Sequence, residues 1–406
     1  MAYKDSPDDE NLLQAWEKFC DQLKTAGTKI FKEQNPATPL HRADALRFLT
    51  QNLGQAFDLG LETKNTAYPL LHLFSGPTRK LGGDCADFIY LQAWIDDHST
   101  YRITGNRGTA PFLNFTVQGP RPDKTPGGFA PLHDPFGDIP EANLFGHQLQ
   151  TNWDGSFELY IGGEKRGPNW LPTTPGSRKL FIRQGFDRWD EIPARFRIER
   201  TDMTTPKPLP TPANMITAMT WAGDFVTGVM RDWPDWMFAH GGVDEHAPNA
   251  FPPEANTADD KKRGRAVTNM HWQIAEDEAL IIEFAAHEGL WMLTNMGVFC
   301  NSMDYLYRPI SYTPSRSAVD ADGKIRMVLA HDDPGFHNWI DTQGFIRGNL
   351  TYRHMLAGGP VPLTTKLVKH AALETALPAN SARVTPEQRA AQLWARFNGI
   401  RQRYLL

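Results

Sequence analysis

Apolar residues recur three and four positions apart through the first 60 residues, the spacing of amphipathic helices. "NLLQAWEKFCDQLKTAGTKIF" sets Leu12, Leu13, Trp16, Phe19, Cys20, Leu23 and Ile30 near one face. "HRADALRFLTQNLGQAF" repeats the pattern with Leu46, Leu49, Leu53 and Phe57. From about 86 to 200 the pattern changes to short runs bounded by turn residues: "DFIYLQAWI", "TYRITG", "FLNFTVQ", "SFELYIG" and "KLFIRQGF". These predict strands, and the Asp-Gly pair in "NWDGSF" predicts a tight hairpin turn. Residues 119–142 read as a long Pro/Gly-rich loop, and "MTTPKPLPTP" as an extended connector. "ANMITAMTWAGDFVTGVMRDW" then reads as a helix with Ile216, Met219, Val226 and Met230 roughly aligned, a core or lid element. Strand signals resume near 279 and run to 356. The chain ends in helices, the last opened by Thr385 as N-cap, Pro386 at the first position and Gln388 at the third.

The two strand-rich stretches can be laid over each other. Asp154-Gly155 precedes Asn169-Trp170 by 15 positions, and Asp322-Gly323 precedes Asn338-Trp339 by 16. Arg183 follows the first Trp by 13 positions and Arg353 the second by 14. A weaker match continues upstream, "YLQAWIDDHSTYRITGNRG" against "IIEFAAHEGLWMLTNMG". The fold expected is α+β: two related, mostly antiparallel β-units, with helices at the N-terminus, between the copies and at the C-terminus. The expected boundaries are 1–65 for the helical segment, 66–202 for the first unit and 203–275 for the connector and insert. The second unit is expected over 276–358 and the last helices over 359–406. What both copies share belongs most simply to the scaffold. The Asp-Gly pairs are then turns, and the Asn-Trp pairs turn the chain and plug the sheet.

The stretch "DADGKIRMVLAHDDPGFHNWIDTQGFIRG" (320–348), with "SMDYLYRPISYTPSRSAV" before it, resembles a bacterial family of unknown function, DUF1214, often joined to a partner domain, DUF1254. "DGSFELYIGGEKRGPNWLP" and "YRITGNRG" in the first copy are similar too. The resemblance is tightest over 280–356, looser over 80–200, and leaves out the N-terminal helices and the 213–270 insert. It implies a two-part, mostly antiparallel β-sandwich architecture and supplies no activity or catalytic residues.

Composition narrows the function classes. The 406 residues suffice for two or three domains, and the net charge of −5 comes without a basic face, which argues against nucleic-acid binding. Three cysteines, Cys20, Cys85 and Cys300, do not make a disulfide framework and suit a reducing compartment. No run of 18 apolar residues and no apolar leader core appears, so a cytoplasmic chain that spans no membrane is expected. Twelve Trp and 23 Phe point either to large cores or to an aromatic pocket. No Walker A loop, GxSxG elbow, HExxH or GxGxxG after a strand occurs, so neither a cofactor nor a metal is expected.

The candidate chemistry is then sought where the copies differ. "SMDYLYRPISY" offers Asp304, Tyr305 and Tyr307; in an extended strand the two tyrosines would share a face, as acids or oxyanion donors. The plainer reading is a strand with half-buried tyrosines. In "EFAAHEG" Glu283 and His287 fall two steps apart on one face, as an acid–base pair or a solvated edge. His331 and His337 lack counterparts in the first copy. "HGGVDEH" gathers His240, Asp244, Glu245 and His246, a metal-like set without regular spacing. "GGDCADF" holds Asp84, Cys85 and Asp87; Cys85 reads as a buried, inert thiol, and the carboxylates as candidates for glycosidic hydrolysis. Trp233, Trp236 and Phe238 line a pocket or simply pack. The leading expectation is a cofactor-independent hydrolase or lyase for a hydrophobic or ring-containing small molecule, a glycoside included. Glu283 or Asp304 would be its base, Tyr305 or Tyr307 its proton donor and His331 the orienting group. Trp233, Trp236, Phe238, His240 and His337 would bind the substrate where the second unit meets the insert. The alternatives are a non-catalytic binding protein for an apolar or carbohydrate ligand, and a structural subunit that assembles through β-edges; an oligomer is compatible with each.

Overall fold

A computed structural model describes residues 6–123, 128, 131, 133–134, 137–240, 247–253, 257–356 and 361–406. Helices α1 (Asp9–Thr28) and α2 (Pro39–Phe57) pack with the long inserted helix α3 (Pro212–His240). Phe19, Ala26, Phe48 and Ala56 meet Met219, Ala222, Phe225, Val226 and Met230 in one apolar layer. So much of α3 is buried that it is a packed core element rather than a lid. The sequence-read faces hold in part: Leu13, Trp16 and Leu46 stay exposed, because each helix needs only a narrower stripe against its neighbours.

The first unit comprises β1 (His72–Ser75), β2 (Phe88–Trp94), β3 (Tyr101–Asn106), β4 (Phe112–Pro120), β5 (Asp138–Phe145), β6 (Ser156–Ile161), β7 (Trp170–Leu171), β8 (Lys179–Gly185) and β9 (Arg195–Arg200). Its two sheets run β1-β2-β8-β4-β5 and β7-β6-β3-β9. Alternate residues such as Leu113, Phe115 and Val117 of β4 face Ile103, Leu159 and Ile161 across the sandwich. After the short helix α4 (Ala258–Lys262) the second unit has β10 (Arg265–Gln273), β11 (Glu278–Ala285), β12 (Trp291–Met296), β13 (Ser311–Tyr312), β14 (Lys324–Ala330), β15 (Trp339–Asp341), β16 (Arg347–Met355) and β17 (Thr364–Lys369). Its sheets run β10-β16-β12-β13 and β15-β14-β11-β17. α5 (Leu373–Ala376) and α6 (Pro386–Tyr404) close the chain, and Thr385 and Gln388 form the expected capping box.

The two strand orders are the same, with β2-β8-β4-β5 matching β10-β16-β12-β13 and β7-β6-β3-β9 matching β15-β14-β11-β17. The Asn-Trp pairs act alike in both. Asn169 Oδ1 accepts from Gln150 N at 2.8 Å, while its Nδ2 donates to Gln150 O and Glu158 O. Asn338 Oδ1 accepts from Ala318 N at 2.8 Å, while its Nδ2 donates to Ala318 O and Arg326 O. Each Trp starts a short strand parallel to its neighbour and donates its indole N–H to that neighbour's end, Gly162 O or Ala330 O. Gly155 (φ 78°) and Gly323 (φ 77°) supply the left-handed residue of the same tight turn.

Four sequence readings need correction. The Asp-Gly turns lead into β6 and β14 but join no pair of adjacent ladder strands, so they are not hairpins. The upstream match set β2-β3 against β11-β12, one strand out of step; β2-β3 corresponds to β10-β11, whose alternation is similar enough to mislead. The second unit runs from Arg265 to Lys369, wider than 276–358, because β10 and β17 pair with β16 and β11. The long first-copy loop is narrower than 119–142, since β4 reaches Pro120 and β5 starts at Asp138; much of it lies outside the described residues.

Candidate functional site

Three segments meet at the seam between the units. The loop from β1 to β2 carries Lys80 and Asp84. The loop after β12 carries Asn301, Ser302, Asp304 and Tyr305. Helix α2 contributes Asp44 and Arg47. A backbone bond ties the two loops, Gly83 N donating to Cys300 O at 2.7 Å, and the Asn52 side chain of α2 donates its amide to Lys80 O at 3.2 Å. Between them lies a cleft of about 300 Å³ that is also lined by Arg308, Gln343 and Phe345.

Lys80 is 3% exposed. Its Nζ donates to Ser302 Oγ at 2.6 Å, lies 3.8 Å from Asp84 Oδ2 and sits 3.7 Å above the centroid of the Tyr305 ring. Ser302 donates its hydroxyl to Asp84 Oδ2 at 2.5 Å and its backbone N–H to Asp84 Oδ1 at 2.9 Å. The serine oxygen therefore takes a proton bond from the cation and passes one to the anion. Burial pushes the Lys80 ammonium down to about 8; the charges of Asp84 and Asp304 work against that fall. Burial pushes the half-buried Asp44 carboxyl up, against a hydrogen bond from Asn301 at 3.2 Å. A basic and an acidic group are thus both driven toward neutrality in one cleft, the arrangement suited to proton transfer.

An uncharacterised protein from Burkholderia cenocepacia is similar in structure, with a TM-score of 0.80 and 31% identity over 90% of this chain and 99% of that one. The family described as protein of unknown function (DUF1214) matches residues 92–184. The chain belongs to the DUF1214 family. The matched stretch lies within the first unit, from β2 to β8, whereas the motif at 320–348 lies in the second, and both units have one strand plan. A Vibrio parahaemolyticus protein aligns over 86% of this DUF1214 member and 100% of its own chain, but at 10% identity and a TM-score of 0.40 the likeness is too distant to bear on fold or site. No curated protein matches.

Within this DUF1214 fold one sequence-selected residue, Asp304, lines the cleft, and a second, Tyr305, lies beneath its wall. Asp304 lines it, half-buried, and accepts from Leu306 N at 3.0 Å. Tyr305 is fully buried beneath Lys80, and its hydroxyl bonds Tyr404 at 3.3 Å; burial pushes its pKa well up. The others do not converge. The segment 304–310 is bent rather than extended, so Tyr307 points away, 60% exposed and stacked on Phe397. Glu283 is held by Lys324 at 2.5 Å and Arg326 at 2.7 Å, and those hydrogen bonds and charges hold its carboxyl below the usual range. That suits a salt-bridge network and not a base. His287 lies past the end of β11 and bonds the Tyr352 hydroxyl instead of Glu283. His331 bonds Thr342 at 2.6 Å and His337 bonds Asn338 at 3.0 Å; neither lines the cleft. Trp233 and Phe238 are buried, and Trp236 packs against the same helical core. The His240 side chain and residues 241–246, with Asp244, Glu245 and His246, lie outside the described residues. The expected location is where the second unit meets the insert; α2 and three loops form this cleft, and α3 does not line it.

The "GGDCADF" stretch divides. Asp84 is buried behind the cleft wall, bonded to Ser302, while Asp87 is buried against Arg316 at 2.6 Å and Arg403 at 3.5 Å. Cys85 is buried beside Thr294, and burial pushes its thiol up, in keeping with an inert core residue. Lys80, Ser302, Asp44 and Arg47 were missed. Ser302 heads a stretch already quoted and Asp84 sits in another, but nothing local joins two side chains 218 positions apart.

Proposed function

We propose that this protein is an acid–base enzyme of the hydrolase or lyase type, and that its own side chains in the Lys80 cleft do the chemistry. One observation carries the reading: a fully buried lysine, depressed to about 8, donates to a serine hydroxyl that is bonded to a carboxylate, at the wall of an open cleft. In its neutral form Lys80 accepts a proton, directly or through Ser302. Asp84 orients that hydroxyl and balances the lysine when it is charged. Asp44, raised by burial, is the candidate proton donor. Arg47 and Arg308 line the same space, so the substrate is small and polar, with anionic or carbonyl oxygen atoms facing these guanidinium groups. The cleft's charged lining does not support the hydrophobic substrate expected from the aromatic content; a glycoside remains within the polar class.

The test is a chromogenic panel of nitrophenyl esters, nitrophenyl glycosides and lactones, assayed from pH 6 to 10. Turnover is expected to rise through about pH 8 and to fall by about 100-fold or more in Lys80→Met, with Ser302→Ala as a second variant that preserves packing. Glu283→Gln should leave turnover unchanged. Turnover that survives both Lys80→Met and Ser302→Ala, or the lack of turnover in every class, overturns the reading.

A further inference from the structure

A second cavity, of about 840 Å³, opens between α1, α3 and the first unit, and shares no lining residue with the Lys80 cleft. Two indoles define it. The Lys64 ammonium sits 4.9 Å from the Trp221 ring centroid and 5.5 Å from that of Trp94. Trp94 is fixed by its N–H, which donates to Leu59 O at 2.9 Å. Trp221 packs against Gly60, where a Cβ would come within 2.3 Å of the ring. It also stacks on Phe225 at 5.0 Å.

The charges in this cavity do not balance. Arg178 is held by Asp138, and Arg231 by Asp232. Among the described residues Lys64 has no carboxylate within hydrogen-bond or ion-pair range. Burial pushes its ammonium down, and the neighbouring Arg178 adds to that. The carboxylate on the lining, Asp224, is exposed and takes the Gln22 amide at 2.6 Å. An accessible cation thus lies over two apolar ring faces, where an anion can meet it without displacing a carboxylate partner.

We infer that this cavity binds a small organic anion with an apolar, ring-bearing body, its carboxylate on Lys64 and its ring against Trp94 and Trp221. An added cation would face Lys64 and Arg178 together. A neutral ring would gain the indoles but leave the ammonium unpaired. The inference does not depend on the Lys80 cleft being catalytic, and its test uses binding, not turnover.

The probes are 1-naphthoate, decanoate and neutral 1-naphthalenemethanol, titrated calorimetrically into the full chain. Naphthoate is expected to bind more tightly than the alcohol, to weaken about tenfold or more in Lys64→Met, and to recover in Lys64→Arg. Decanoate binding as tightly as naphthoate would assign the body to alkyl chains and leave the anion site standing. Equal naphthoate affinity in the parent and Lys64→Met, or no binding of either carboxylate at millimolar concentration, overturns the inference. Lys64 is exposed and Met keeps much of its apolar stem over the indoles, so the variant should fold; an unchanged circular dichroism spectrum and melting temperature verify that.

Discussion

Replacing Asn338 by Ala tests the claim that what the two units share is scaffold. The side chain makes three bonds to main-chain groups: Ala318 N and Ala318 O at 2.8 Å, and Arg326 O at 3.0 Å. It ties the segment before β14 to β14 itself, and it is only 5% exposed. Alanine removes all three bonds and leaves one N–H and two carbonyls without that partner. At about 1 kcal/mol for each net bond, more where a buried group stays dry, the cost is about 3 kcal/mol. Asn169→Ala removes the same three bonds, at 2.8, 2.7 and 2.9 Å, but Asn169 is half-buried. Water can reach those groups, so its cost should be about 1–2 kcal/mol. The double variant should be additive, because the residues lie in different units and share no partner. Urea unfolding followed by tryptophan fluorescence and circular dichroism supplies the values. A cost under about 1 kcal/mol for Asn338→Ala, or a larger one for Asn169→Ala, would refute the assignment of these residues to the scaffold.

Two further outcomes follow from packing and charge. Gly105→Ala places a Cβ 2.1 Å from Arg195 O, so β3 and β9 must separate; a loss of about 1–3 kcal/mol in thermal or urea unfolding is expected, and an unchanged stability would contradict the register. Lys80 should titrate near 8 when its side-chain nitrogen is followed by NMR, and a midpoint at 10 or above would remove the basis for its role. The sign for stability is fixed by the same shift. The folded pKa lies below the 10.5 of the free side chain, so the unfolded chain holds the proton longer, and this group makes the fold more stable as pH rises from about 8 to 10.5, by about 3 kcal/mol in all.

Local signals were enough for much of the fold. The capping box at Thr385 depends on residues three apart, and both of its bonds form. Spacing of Asp-Gly, Asn-Trp and Arg revealed the duplication because a shared backbone path imposes the same residue types wherever the chain must turn or plug. Local signals do not suffice where burial decides. Trp233 and Phe238 have the composition of a pocket wall, and only their packing in the assembled fold, Trp233 on Gly82 and Phe238 on His271 and Arg347, makes them core. Tyr305 and Tyr307 are two residues apart, yet one is buried and the other 60% exposed, because the chain bends between them.

By itself, then, the sequence determined the two copied sheets, the helices around them and the side chains that hold each turn, since those rest on contacts close along the chain or repeated in it. Only the tertiary structure decided where chemistry can occur. Lys80 and Ser302 are 222 positions apart, and the lysine's depressed pKa exists only because the seam between the units excludes water from it. Desolvation is a property of the assembled surroundings, and no spacing along the chain encodes it.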